Sequence, residues 1–152
     1  TIIVPLAIAY NIGNLLGNGY AHAYNVVKPI KAGFQEKTDI TQAISFLKSK
    51  NITGTIFNHY RDGSRLTYDL YPKIKVVMDA RVDMYGEDLY LEYTRAFAKD
   101  DLFLNYLDKY NINIVLLWNI KELTWAHKIL MTSPQWQEAL VNKSYRLFLH
   151  EK

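Results

Sequence analysis

The sequence predicts an α/β fold: a small, mostly parallel sheet of about four or five strands, with helices on its faces and the last strand at an edge. Three observations carry this. Short runs rich in Ile, Val and Leu alternate with segments whose apolar residues recur at helical spacing, the pattern of successive β–α units. A length of 152 residues suffices for one self-sufficient core. A hydrophobic content of 49% with 22% charged residues lies in the globular range, away from disordered and fibrous compositions.

The chain opens on Thr1 rather than Met, which reads as a processed chain or a piece of a longer one. The stretch Ile2-Ile3-Val4-Pro5-Leu6-Ala7-Ile8-Ala9 is apolar but far short of the roughly 20 residues a spanning helix needs. No basic region precedes it, as a secretory signal would require. Residues 1–24 are thus expected to be an N-terminal helical or juxtamembrane segment, under two readings: a local helix packed on the domain, or the tail of a transmembrane helix. Residues 25–152 are expected to form a single α/β domain.

Within that domain, residues 26–34 read as a strand or extended segment. Asp39 precedes Ile40, Ala43, Ile44 and Leu47 at helical spacing, with Gln42 completing a capping box. After Asn51, Ile52 and Gly54, residues 55–58 read as a short buried strand. Asp62-Gly63-Ser64 is turn chemistry that opens a short helix over 65–71, stopped by Pro72. A strand over 74–79 follows. Residues 87–110 are helical with a break at Lys99-Asp100-Asp101: Leu89, Tyr93 and Phe97 share one face, and Phe103, Tyr106, Leu107 and Tyr110 resume it. The apolar run 112–118 is the clearest strand in the chain. Leu123, Ala126, His127 and Leu130 mark another helix. Ser133-Pro134 supplies an N-cap and a first-turn proline for a helix carrying Trp136, Ala139 and Leu140. Residues 145–149 close the fold as an edge strand.

Composition removes several function classes. A net charge of +3 is too small for an electrostatic nucleic-acid binder. The absence of cysteine removes disulfides, thiolate metal sites and cysteine nucleophiles together. His22, His59, His127 and His150 have no zinc-helix spacing, and no phosphate loop, dinucleotide fingerprint or nucleophile elbow occurs. No metal, cofactor or catalytic residue is therefore assigned. The chain holds 12 Tyr, 6 Phe and 3 Trp, which fits an aromatic core with a wet rim better than a stacking platform.

Candidate binding residues follow from topology instead. In a parallel sheet the carboxyl ends of the strands lie on one edge, where ligands bind. After the strand at 55–58 come Asn58, His59, Tyr60, Arg61 and Asp62. After the strand at 74–79 come Asp79, Arg81, Asp83 and Tyr85, and after 112–118 comes Asn119. If the strands run parallel, these loops converge into a mixed-charge rim suited to a sugar, a peptide loop or a phosphate. Plain structural roles stand beside that reading: Asp79 and Arg81 as an ion pair, His59 as a hydrogen-bonded loop residue, Asp62 as a turn or cap residue.

The stretch Phe57-Asn58-His59-Tyr60-Arg61-Asp62-Gly63, with Leu66 and the run from Leu70 through Asp79-Ala80-Arg81-Val82-Asp83-Met84-Tyr85-Gly86, resembles a known domain. It is similar to the soluble C-terminal domain of polytopic bacterial membrane proteins related to lipid-linked-sugar glycosyltransferases of the dolichyl-phosphate-mannose protein mannosyltransferase type. The likeness covers roughly residues 26–149, and only 57–86 is specific. Ser64 and Ala80 depart from it, adding side chains where the family backbone would approach something closely. The resemblance implies a membrane-embedded catalytic half in the same polypeptide. This domain would then stand on the extracytoplasmic face (periplasmic or external) as a non-catalytic accessory that positions acceptor or stabilises the membrane half. Its partners would be that membrane portion and a sugar, lipid-linked sugar or acceptor, with no nucleic acid. Two alternatives remain open: a free-standing α/β enzyme or small-ligand binder using His59, Asp62, Asp79 and Arg81, and a protein–protein interaction module.

Overall fold

The computed structural model describes Tyr10, Ile12 and Gly13, residues 38–98 and residues 100–151. The chain divides into two units, Thr1–Glu36 and Lys37–Lys152. In the first unit the three described residues are helical; the rest of the expected N-terminal segment and the strand expected over 26–34 lie outside the described residues. Among the described residues no helix is long and apolar enough to cross a membrane.

The second unit is an α/β domain built on a five-stranded sheet. Helix α1 (Thr38–Ser49) leads to β1 (Gly54–Asn58), α2 (Tyr60–Leu70), β2 (Ile74–Val76) and a 3₁₀ turn (Val82–Met84). Then come α3 (Glu87–Ala96), α4 (Asp100–Lys109), β3 (Ile114–Trp118), a second 3₁₀ turn (Lys121–Leu123), α5 (Thr124–Thr132), β4 (Trp136–Val141) and β5 (Tyr145–His150). The strand order is β2-β1-β3-β5-β4. β1 pairs in parallel with β2 and β3, whereas β5 runs antiparallel to β3 and β4 antiparallel to β5. The sheet is therefore mixed, which corrects the expectation of a mostly parallel one: β4 and β5 form a hairpin that needs no crossover helix, and β5 enters the sheet antiparallel to β3.

Alternation along the strands feeds two cores. Ile56, Ile114, Leu116 and Leu147 face one side, where they meet Ile40, Ala43, Ile44 and Leu47 of α1 and Leu66 and Leu70 of α2. Phe57, Val115, Leu117 and Phe148 face the other and meet Tyr93 and Ala96 of α3, Phe103, Tyr106 and Leu107 of α4, and Ala126 and Leu130 of α5. The period of two in the strands thus produces a three-layer sandwich.

Two elements differ from expectation at the C-terminus. Trp136–Val141 is a strand, not a helix. Its pairing with β5 shifts between Glu138 and Leu140, a bulge at Ala139. The bulge breaks the period of two. Trp136 then packs in one core while Ala139 and Leu140 pack against the other, and a spacing of three and four residues counterfeits a helical stripe. β5 consequently lies inside the sheet between β3 and β4, and the edges are β2 and β4.

At the other end, α1 starts at Thr38, so Asp39 lies within its first turn. Asp39 and Gln42 do not form a capping box: the Asp39 carboxylate accepts from the Ser144 hydroxyl, and Gln42 accepts from Asn142 Nδ2 at 3.1 Å. Both side chains hold the β4–β5 turn onto the helix end.

Candidate functional site

The connection from β1 through α2 to β2 goes to one side of β1, and the next, through α3 and α4, goes to β3 on the other. The direction of winding reverses between β1 and β3, and a crevice opens outside their carboxyl ends. A cleft of about 310 Å³ occupies this crevice. His59 and Tyr60 enter it from the end of β1, Trp118 from the end of β3, and Tyr90, Tyr93 and Phe97 from α3. Thr94, Ile120, Glu122 and Leu123 complete the wall.

His59 is set by local backbone chemistry. It is the N-cap of α2, and its Nδ1 accepts from the Arg61 backbone N–H at 3.2 Å. This cap starts α2 at Tyr60, five residues before the start expected from Asp62-Gly63-Ser64. The capped imidazole stacks on the Trp118 indole, with centroids 3.9 Å apart and planes 21° apart. Tyr60 and Phe97 flank it at 4.6 and 6.1 Å. Burial lowers the His59 pKa below the ordinary imidazole value; Asp62 opposes this and Arg61 adds to it.

Behind the rings lies a layer of polar groups largely paired with one another and with backbone. Asp62 is buried, and its carboxylate accepts from Trp118 Nε1 at 2.7 Å and from the Tyr145 hydroxyl at 3.1 Å. It locks the indole that carries His59. The Tyr93 hydroxyl donates to the Asn58 carbonyl and accepts the Tyr60 N–H, both at 2.9 Å, tying α3 to the end of β1. Burial raises its pKa, so it stays a neutral phenol. Asn58 is fully buried, and its Nδ2 donates to the carbonyls of His59 and Met78, each at 2.9 Å.

The second predicted loop does something else. Asp79 is 2% exposed and accepts from Arg81 three ways: from its backbone N–H at 2.9 Å, Nε at 3.1 Å and Nη2 at 2.6 Å. The Arg81 guanidinium lowers the Asp79 pKa, and Tyr85 adds a further hydrogen bond. Asp83 is exposed on the Val82–Met84 turn. Of the predicted residues, then, His59 and Tyr60 line the cleft and Asn58 and Asp62 support it. Asp79, Arg81, Asp83 and Tyr85 are outside its lining, although their loop packs against Gly63 of α2. Asn119 holds the hairpin turn, its Nδ2 donating to the Asn142 carbonyl at 3.1 Å.

Sequence reasoning missed Trp118, Phe97, Tyr90, Thr94 and Glu122. Trp118 was within reach, because it is the last residue of the clearest strand and the carboxyl-end rule applies to the strand terminus as much as to the loop beyond it. The α3 residues carried no such signal: Tyr93 and Phe97 share the helical stripe of ordinary core residues.

The Asp62 and Asp79 carboxylates are committed to partners, and His59 has only Nε2 free of the cap. No cluster of three or more metal-ligating side chains occurs among the described residues. No family model matches the chain, and comparison with curated proteins and with solved structures finds no match.

Proposed function

We propose that this chain is a non-catalytic binding domain whose ligand seats in the aromatic cleft between β1 and β3. On the resemblance of residues 57–86, it serves as an extracytoplasmic accessory domain of a membrane-embedded glycosyltransferase-like protein, presenting an acceptor or substrate head group to the membrane half. One observation carries the binding reading: a cleft at the winding reversal, walled by rings most of whose polar atoms are already paired within the protein. Such walls offer contact area and ring faces without the proton-transfer pair that turnover needs.

Binding is read by the fluorescence of Trp118, in a background where Trp125 and Trp136 are replaced by Phe. A panel of small probes (benzyl alcohol, methyl glucoside, 3,3-dimethylbutanol and choline) contains at least one that saturates. Tyr90→Ala weakens that probe about tenfold, on the order of 1.4 kcal/mol. Tyr90 is 37% exposed, so its truncation leaves the core intact. Absence of saturation by every probe, or an unchanged affinity in Tyr90→Ala, overturns the reading. A free-standing enzyme would instead show turnover that disappears in His59→Gln.

A further inference from the structure

The polar atoms of the cleft narrow the class of ligand. The Thr94 hydroxyl donates to the Leu91 carbonyl at 2.9 Å. The Tyr93 hydroxyl has its donor and an acceptor used. Trp118 Nε1 is held by Asp62, His59 Nδ1 by the helix cap, and the Tyr60 hydroxyl accepts from Arg61 Nε at 3.3 Å. What remains for a ligand is ring surface, His59 Nε2, the Tyr60 hydroxyl hydrogen, the Tyr90 hydroxyl and one carboxylate, Glu122. A sugar ring presents hydroxyls on nearly every carbon, and each one desolvated without a partner costs free energy. This wall holds no Asn, Gln, Asp or Arg to meet them.

A methylated ammonium has the opposite needs. When quaternary, its nitrogen has no N–H to satisfy, is weakly hydrated, and is attracted to the faces of Trp and Tyr rings. Six of the ten lining residues carry rings. Glu122 is exposed at the rim and has no ion-pair partner among the described residues, which leaves its charge available. No Lys or Arg lines the cleft, and the lowered pKa of His59 keeps that ring neutral near pH 7. Arg61 is outside the lining, with its guanidinium 5.8 Å from the Tyr60 centroid.

We propose that the cleft binds a small ligand bearing a methylated ammonium head group of the choline type, held by Tyr60, Tyr90, Phe97 and Trp118, with Glu122 as counter-charge. This rests on the cleft being a binding site and adds the charge of the ligand. The test compares choline with 3,3-dimethylbutanol, its neutral carbon isostere, by Trp118 fluorescence and calorimetry on the same protein. Choline binds at least about tenfold tighter, and Glu122→Gln weakens choline about fivefold while leaving the isostere unchanged. Equal affinity of the two probes, or choline affinity indifferent to Glu122→Gln, overturns the ammonium class and leaves the cleft as an apolar site. Saturation by neither overturns the ammonium class, and the binding reading falls with it when benzyl alcohol and methyl glucoside also fail to saturate. Co-sedimentation with phosphatidylcholine vesicles, competed by free choline, identifies the head group as lipid-borne; choline binding without co-sedimentation identifies a free solute.

Discussion

Two buried carboxylates show how the same chemistry serves different ends. Asp62 accepts from an indole and a phenol, so its charge is spread over neutral donors and its role is to aim Trp118. Asp79 accepts from the guanidinium and backbone of Arg81, and its role is to close the loop that follows β2. The Arg81 side chain is largely exposed, so water screens the ion pair, and its worth lies mainly in hydrogen bonds to a buried acceptor. Asp79→Asn removes the charge and turns one acceptor oxygen into a donor facing donors. The expected loss is on the order of 1–3 kcal/mol of unfolding free energy, read by urea denaturation. Probe binding in the cleft is expected to stay unchanged, because Asp79 does not line it. A variant with wild-type stability but weakened binding would reverse that assignment and return Asp79 to the site.

At the scale of elements, the close approach of α2 to the loop after β2 depends on one glycine. A Cβ at Gly63 would lie 2.6 Å from Asp79 Cα and closer still to the Met78 carbonyl oxygen. Backbone cannot give way as a flexible side chain does, so Gly63→Ala is expected to cost about 1–3 kcal/mol, seen as a lowered melting temperature. Ser64→Ala, one residue on, is expected to change little because Ser64 is exposed. Equal effects at the two positions would refute the close approach. The resemblance pointed to Ser64 and Ala80 as the tight positions; both are exposed, and the constraint sits on Gly63 against Met78 and Asp79. Elements with an unbroken period were legible in the sequence: the buried stripe of α1, the faces of α3 and α4 and the run of β3 all appear where their apolar residues predict. Legibility failed where tertiary partners overrode local signals. The bulge at Ala139 imitated a helix, and Asp39 and Gln42 were diverted from capping by the β4–β5 turn. Of the cleft lining, the carboxyl-end rule yielded His59 and Tyr60. The wall from α3 did not follow, because its cleft-facing and core-facing rings follow one spacing and separate only once the helix is seated on the sheet.

For the whole molecule, two imidazoles, His127 buried and His59 half-buried, set a pH dependence that reaches the cleft. His127 on α5 is 5% exposed and stacks against Phe148 at 6.2 Å. Burial lowers its pKa, Arg146 on β5 lowers it further, and its hydrogen bond with the Trp118 backbone opposes them. Arg146 is itself paired with Glu138 at 3.2 Å, which tempers its field at the imidazole. His59 is lowered in the same sense. A histidine whose folded pKa lies below its unfolded value binds fewer protons in the native state. Its stabilising contribution is complete above the unfolded value of 6.5 and is lost as pH falls below it. Asp79 acts in a lower window: its folded pKa is depressed below 3.8, so its contribution persists above that value and disappears only in stronger acid. The melting temperature is therefore expected to be flat above about pH 7 and to fall between about pH 6.5 and 5, where the histidines titrate. His127→Gln retains a donor for the Trp118 carbonyl but cannot charge, so it should flatten that fall. Because His127 and His59 both hold Trp118, one through its backbone and one through its ring, probe affinity should weaken over the same interval and recover in part in the variant. A wild-type slope that survives in the double variant His59→Gln/His127→Gln would show that other groups govern the acid response and that the end of β3 is not held by these two rings.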